Sequence, residues 1–221
     1  MEAKRHSVCF PVVCGLMIAC VFLFAGCSKK QAKGSFTSRG MGIGCDFPDG
    51  WSRLSSEEMK RMFPGKEVSI FTIGDRDRVA IVSFVKVPFN REEVQAINCY
   101  SNLLRHGAGS GKKSKELTEA EEKLAAFYTV VLMSVQQAMS KRYEGFKLLR
   151  RGAAAFGGML VGEIVCEGSK PGEEKKWRQM VIMLPKDAKD NLLVLGFSVP
   201  VKDKQKYSRD FEHIEKTWSW K

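Results

Sequence analysis

The chain has 221 residues, 44% of them hydrophobic, with 36 Lys+Arg against 25 Asp+Glu and a formal net charge of +11. That length suits one domain plus an appendage, and the apolar fraction suffices for a core. With 20 Gly and 7 Pro the composition excludes a collagen-like or low-complexity chain. The 7 cysteines form no CxxC pair, which excludes a zinc ribbon and a thioredoxin-type site.

Lys4 and Arg5 lie just ahead of Ser7–Gly26, a stretch without a charged side chain and rich in Val, Cys, Phe, Leu and Ala. A positive end, an apolar run and small residues form the layout of an export signal. The run closes on Phe24-Ala25-Gly26-Cys27, and Ser28-Lys29-Lys30 opens polar sequence. These four residues resemble the bacterial lipobox, with Phe24 at the place usually held by Leu or Val. The resemblance implies cleavage after Gly26 and a diacylated Cys27 as the first mature residue, the lipid-attachment site. Membrane lipid is then the first expected partner, since two or more acyl chains hold a protein firmly on a bilayer. Two alternatives stay open, an uncleaved membrane helix and a plain secreted protein. A stretch of this length just spans the hydrocarbon core. All three readings place the remainder outside the cytoplasm, anchored on the periplasmic side or at the cell surface in the lipobox case.

Residues 27–40 hold Lys29, Lys30, Lys33 and Arg39 among small polar residues and read as a flexible basic tether. Removing residues 1–26 takes away only one net positive charge, so the mature part stays basic. Beyond a membrane this excludes routine nucleic-acid binding. It leaves attraction to anionic headgroups or acidic polymers, or simply a soluble charged surface.

Residues 41–221 read as a single domain. Met41–Phe47 reads as a short strand running into the Pro48-Asp49-Gly50 turn and Trp51. Ser55-Ser56-Glu57-Glu58 is a capping-box start for a helix ending by Pro64-Gly65. Glu67–Ile73 predicts a strand, Gly74–Arg78 a charged turn, and Val79–Val87 a central strand with apolar residues on both faces. The apolar recurrence over Arg91–Arg105 and Leu117–Lys141 predicts two helices, joined through Gly107–Ser114. Met159–Cys166, Trp177–Leu184 and Leu192–Val199 predict three strands with short polar links, as antiparallel neighbours require. A last helix starts near Asp203, with Tyr207, Phe211, Ile214 and Trp218 along one stripe.

Phe47-Pro-Asp-Gly-Trp51, Tyr143–Leu149 with Phe156-Gly-Gly158, and Tyr207…Phe211…Ile214…Trp218 resemble motifs of the PsbP-like fold, which includes envelope proteins of the DcrB type. The resemblance spans roughly residues 41–220. It implies an α+β fold: an α/β/α sandwich around a mainly antiparallel sheet, used chiefly as a binding or assembly module. It carries over no functional residue.

Chemistry is sparsely written. The Gly107–Ser114 loop has Lys113 where a phosphate-binding loop needs Ser or Thr, and it joins two helices. His106 and His213 are the histidines outside the leader, and Asp210 lies one turn before His213; no nucleophile is indicated for either. Asp187, Asp190 and Glu173-Glu174 lack calcium-binding spacing. Cys45 and Cys166 fall in strands, where they are buried thiols or a disulfide partnership, and Cys99 leaves their number odd. Trp51 and Trp218 read as core, Trp177 and Trp220 as candidates for a binding surface. The expectation is a non-catalytic, lipid-anchored envelope protein with an envelope protein partner and no catalytic, metal or cofactor residue. A receptor or carrier for a small ligand is the alternative, ahead of an enzyme with an unrecognised site.

Overall fold

The computed structural model describes residues 34–38, 43–62, 71–107, 115–185 and 190–220. In chain order the elements are β1 (Ser35–Ser38), β2 (Ile43–Asp46), β3 (Ser52–Arg53), α1 (Ser56–Met62), β4 (Phe71–Gly74) and β5 (Ile81–Pro88). They continue with α2 (Arg91–Gly107), α3 (Lys115–Arg142), β6 (Glu144–Phe156), β7 (Met159–Ser169), β8 (Lys176–Met183) and β9 (Asn191–Pro200). A 3-10 turn (Val201–Asp203), α4 (Lys204–Lys216) and β10 (Ser219–Trp220) close the chain.

Among the described residues the main sheet runs β3-β4-β5-β9-β8-β7-β6, with every neighbour antiparallel. Side-chain alternation splits each central strand between two cores. Val161 and Val165 of β7 join Trp177, Phe197, Tyr207, Phe211 and Trp218 on the α4 face. Ile164 and Cys166 of the same strand join Leu124, Tyr128 and Leu132 under α2 and α3 on the other. This is the expected sandwich with a helical layer on each side. The central strand β5 carries Val82 and Phe84 in the first core, paired with β4 on one side and β9 on the other.

Local chemistry sets several boundaries. Ser55 and Glu58 close a reciprocal capping box at the start of α1: the Ser55 N–H donates to Glu58 Oε2 (2.6 Å) and the Glu58 N–H to Ser55 Oγ (3.2 Å). Thr129-Val130-Val131 stays inside α3 despite its β-branched run, because Val131 and Leu132 are buried against the sheet. The β6–β7 hairpin turns through Gly157 (φ 54°) and Gly158 (φ 76°), a pair of positive φ values that two-residue hairpins demand. A Cβ on Gly157 would also lie 2.6 Å from Trp218 Cδ1.

Three expectations are corrected. The basic tether was bounded at residue 40, yet Ser35–Ser38 is β1, paired with β2, and Phe36 is buried in the α4-side core. A single large ring at the centre of a polar tetrapeptide suffices to dock it, so the domain begins before Met41. The longest strand among the described residues, β6, lies in the stretch 142–158, for which the sequence pattern predicts no element. Its Lys147, Arg150, Arg151 and alanines lack alternation because β6 is the sheet edge, exposed over most of its length, with bulges after Glu144 and Leu148. Trp218 lies beyond the C-terminal end of α4 and is buried, and Ser219–Trp220 adds β10 to β2.

Candidate functional site

Within the described strands, Glu163 is the one buried charged side chain on the α4 face of the main sheet. Glu163 sits between Val161 and Val165 on β7 and is only 5% exposed. Cross-strand register brings it partners: β6 and β7 place Arg150 beside it, and β7 and β8 pair Glu163 with Val181, two residues from Gln179 on the same face. Arg150 Nη2 donates to Glu163 Oε1 at 2.7 Å, and Gln179 Nε2 donates to the same oxygen at 2.6 Å. The ion pair is lopsided, with a side-chain exposure of 66% for Arg150 against 7% for Glu163. Both donors converge on Oε1, and Oε2 has no hydrogen-bond donor among the described residues.

Glu163 lines a cavity of about 260 Å³ whose walls also include Arg150, Ala154, Gln179, Val181 and Glu215. Glu215, from α4, is half-buried and makes no side-chain hydrogen bond or ion pair with a described residue. Its carboxyl is raised above the ordinary range, first by burial, then by the Glu163 and Glu212 charges, against the opposing pull of Arg150 and Lys216. A second cavity of about 140 Å³ shares Gln179 and Glu215 and runs along α4 between Trp177, Phe197 and Phe211, with Lys204 at its rim. The Trp177 and Phe211 rings are stacked at 5.8 Å, and Lys204 Nζ lies 5.2 Å from the Trp177 ring centre. Trp177 is 7% exposed, and its indole N–H has no acceptor. Two carboxylates against one guanidinium leave the larger cavity one negative charge in excess when both acids are ionised. The smaller one is aromatic.

The residues singled out from sequence lie elsewhere. Cys27, the Gly26 cleavage point, Asp187 and the loop after Gly107 fall outside the described residues, as does the side chain of His106. His213 is exposed, and Asp210 Oδ2 instead accepts the Trp51 Nε1–H at 3.0 Å, so the His-Asp spacing on α4 forms no dyad. Glu173 and Glu174 are engaged by Lys170, Lys176 and Lys202. Cys45 and Cys166 are free thiols on opposite faces of the sheet, which excludes the disulfide. Burial first, then the Asp46 charge, pushes the Cys45 thiol up to about 12, an inert state. Trp177 does line a cavity, whereas Trp220 packs edge-on against Trp218.

Sequence reading missed Arg150, Glu163, Gln179 and Glu215. One signal was present: Glu163 is the sole charged residue in the apolar run Met159–Cys166. Its partners come from neighbouring strands, and nothing local points to them.

No protein-family model matches the chain, and no curated protein sequence matches it. Solved structures similar to it include the cyanobacterial PsbP of Synechocystis, at 11% identity and a TM-score of 0.46, covering 89% of this chain and 98% of that one. LpqN of Mycobacterium tuberculosis, described as involved in cell envelope biogenesis, is similar at 15% identity and a TM-score of 0.37, with 86% of each chain covered. The Ran-binding protein Mog1p of Saccharomyces cerevisiae is similar at 9% identity and a TM-score of 0.42, covering 84% of this chain and 94% of that one. Likeness at these identities and scores transfers no residue, ligand or partner to this chain.

Proposed function

We propose that the chain is a lipid-anchored protein of the cell envelope that works by binding rather than by chemistry, with the sandwich domain outside the cytoplasm. The observation that carries the binding reading is the pair of adjoining cavities under α4, which share Gln179 and Glu215, the larger of them lined by the buried Glu163 carboxylate. The address rests on the Lys4-Arg5 end, the uncharged run and Phe24-Ala25-Gly26-Cys27. Among the described residues no helix is long and apolar enough to cross a membrane. The proposed anchor, on the lipobox resemblance of Phe24-Ala25-Gly26-Cys27, is acyl chains on Cys27, with an envelope protein as the partner of the exposed domain. A receptor or carrier role for a small ligand is the second reading, and the size and lining of the cavities favour it.

Intact-mass measurement of membrane-extracted protein, alongside a Cys27→Ala variant, tests the address. The native protein should begin at Cys27 and carry acyl chains, and the variant should leave the lipid fraction or keep its leader. A native protein retaining Met1 would overturn the anchor. Crosslinking in intact envelopes tests the partner, and failure to recover any reproducible protein would count against the assembly role.

A further inference from the structure

We propose that the two adjoining cavities bind a small molecule bearing one ammonium group, held between Glu163 and Glu215, with an apolar or aromatic remainder beside Trp177. This inference rests on the small-ligand reading above and names its chemistry. Glu163 is 95% buried by the 5% exposure of its residue, and such a carboxylate is retained only with partners. Arg150 and Gln179 both donate to Oε1, Oε2 has no donor among the described residues, and the Glu163 side chain lines a cavity of about 260 Å³. On the opposite wall Glu215 has no donor either, and Glu163 is among the causes that raise its carboxyl.

The groups around this space are Arg150 from β6, Glu163 from β7, Gln179 from β8, and Glu212, Glu215 and Lys216 from α4. Lys216 lies 3.6 Å from Glu212 on the solvent side. A ligand carrying one positive charge balances the excess negative charge. An ammonium has three donors and no acceptor, which suits two carboxylate oxygens on facing walls. An anion would meet two like charges, and a neutral hydroxyl would leave one carboxylate uncompensated. The adjoining aromatic slot is too small for a macromolecular segment and faces Trp177, Phe197 and Phe211, so it takes a ring or short alkyl tail.

Calorimetric titration of the membrane-extracted full chain with phenethylamine, and with 2-phenylethanol as its uncharged counterpart, tests the proposal. The amine should bind at or below about 1 mM and the alcohol about tenfold more weakly or worse, as for loss of a charged hydrogen bond. Glu163→Gln and Glu215→Gln should each weaken the amine by about tenfold while leaving the alcohol unchanged. Gln at 163 keeps a carbonyl for Arg150 and Gln179. Should that variant fail to fold, Glu215→Gln decides alone, because Glu215 makes no hydrogen bond to lose. Equal binding of amine and alcohol, amine binding unaffected by Glu215→Gln, or no amine binding at about 1 mM would each overturn the proposal. None of these results bears on the acylation of Cys27, which mass measurement decides separately.

Discussion

The two faces of the main sheet are built on different principles. Under α2 and α3 the core is largely aliphatic and closed, with Leu124, Leu132, Ile164, Ile182 and Leu184 each at most 1% exposed. Approach there is so close that a Cβ on Gly162 would lie 2.9 Å from Tyr128 Cδ1. Even its buried cation is self-contained: Arg178 donates to the Gly168 carbonyl at 2.7 Å and stacks 4.1 Å from the Tyr143 ring centre. Under α4 the core is aromatic, and polar ties reach the helix from loops distant in sequence. Tyr207 donates its hydroxyl to Asp75 Oδ2 at 2.6 Å, and Trp51 donates to Asp210. Rings meet there at 4.8–6.4 Å between centres, and both cavities described above lie on this face. Close packing serves stability on one side, and the proposed ligand site lies on the other.

The largest effect should come from removing the aromatic keystone of the α4 face. Phe211→Ala should cost about 3–5 kcal/mol in urea unfolding and detach α4, while Leu132→Ala should cost about 2–5 kcal/mol and leave the cavity residues in place. Loss of α4 packing in both variants would erase the distinction between the faces. Overpacking probes the dense side. Gly162→Ala should lose about 1–3 kcal/mol because the backbone of β7 and the ring of Tyr128 must separate. A neutral result would show the α3 face to be as loose as its opposite.

The polar ties are smaller. Tyr207→Phe strips Asp75 Oδ2 of its donor and should cost about 1–3 kcal/mol at neutral pH. Burial first, then the hydrogen bond to Asp75, pushes the Tyr207 hydroxyl well above its ordinary range, so no alkaline titration of this residue should appear before unfolding. The smallest effect belongs to the cavity wall. An acid whose carboxyl is raised on folding favours the folded state only while protonated, and that advantage disappears as pH rises through the raised value. Glu215→Gln should therefore melt slightly higher than the parent at pH 7.5 and match it at pH 4. A parent that is the more stable at pH 7.5 would mean that Glu215 has a compensating partner.

Legibility followed the range of the interactions. The Ser55…Glu58 box, the α2 and α3 recurrences, the Tyr207-Phe211-Ile214 stripe and strands β5, β7, β8 and β9 are local patterns, and each stands near its expected bounds. An amphipathic period or a cap is complete within a few residues, so the chain itself carries it. β6 is different: its basic and alanine-rich stretch is extended because β7 offers it ten paired residues, an influence from beyond a turn. Phe36 likewise becomes core only where β2 and Phe84 receive it.

Sequence by itself determined the layered α+β architecture, the basic charge and the uncharged run that ends before Cys27. Tertiary structure alone decided that Cys45 and Cys166 stand on opposite faces, that Asp210 serves Trp51 rather than His213, and that Glu163 meets Arg150 and Gln179 and shares a cavity with Glu215. The reason is register. Side chains on different strands become neighbours through pairings across tens of residues, and a slip of one residue would turn Glu163 to the other face.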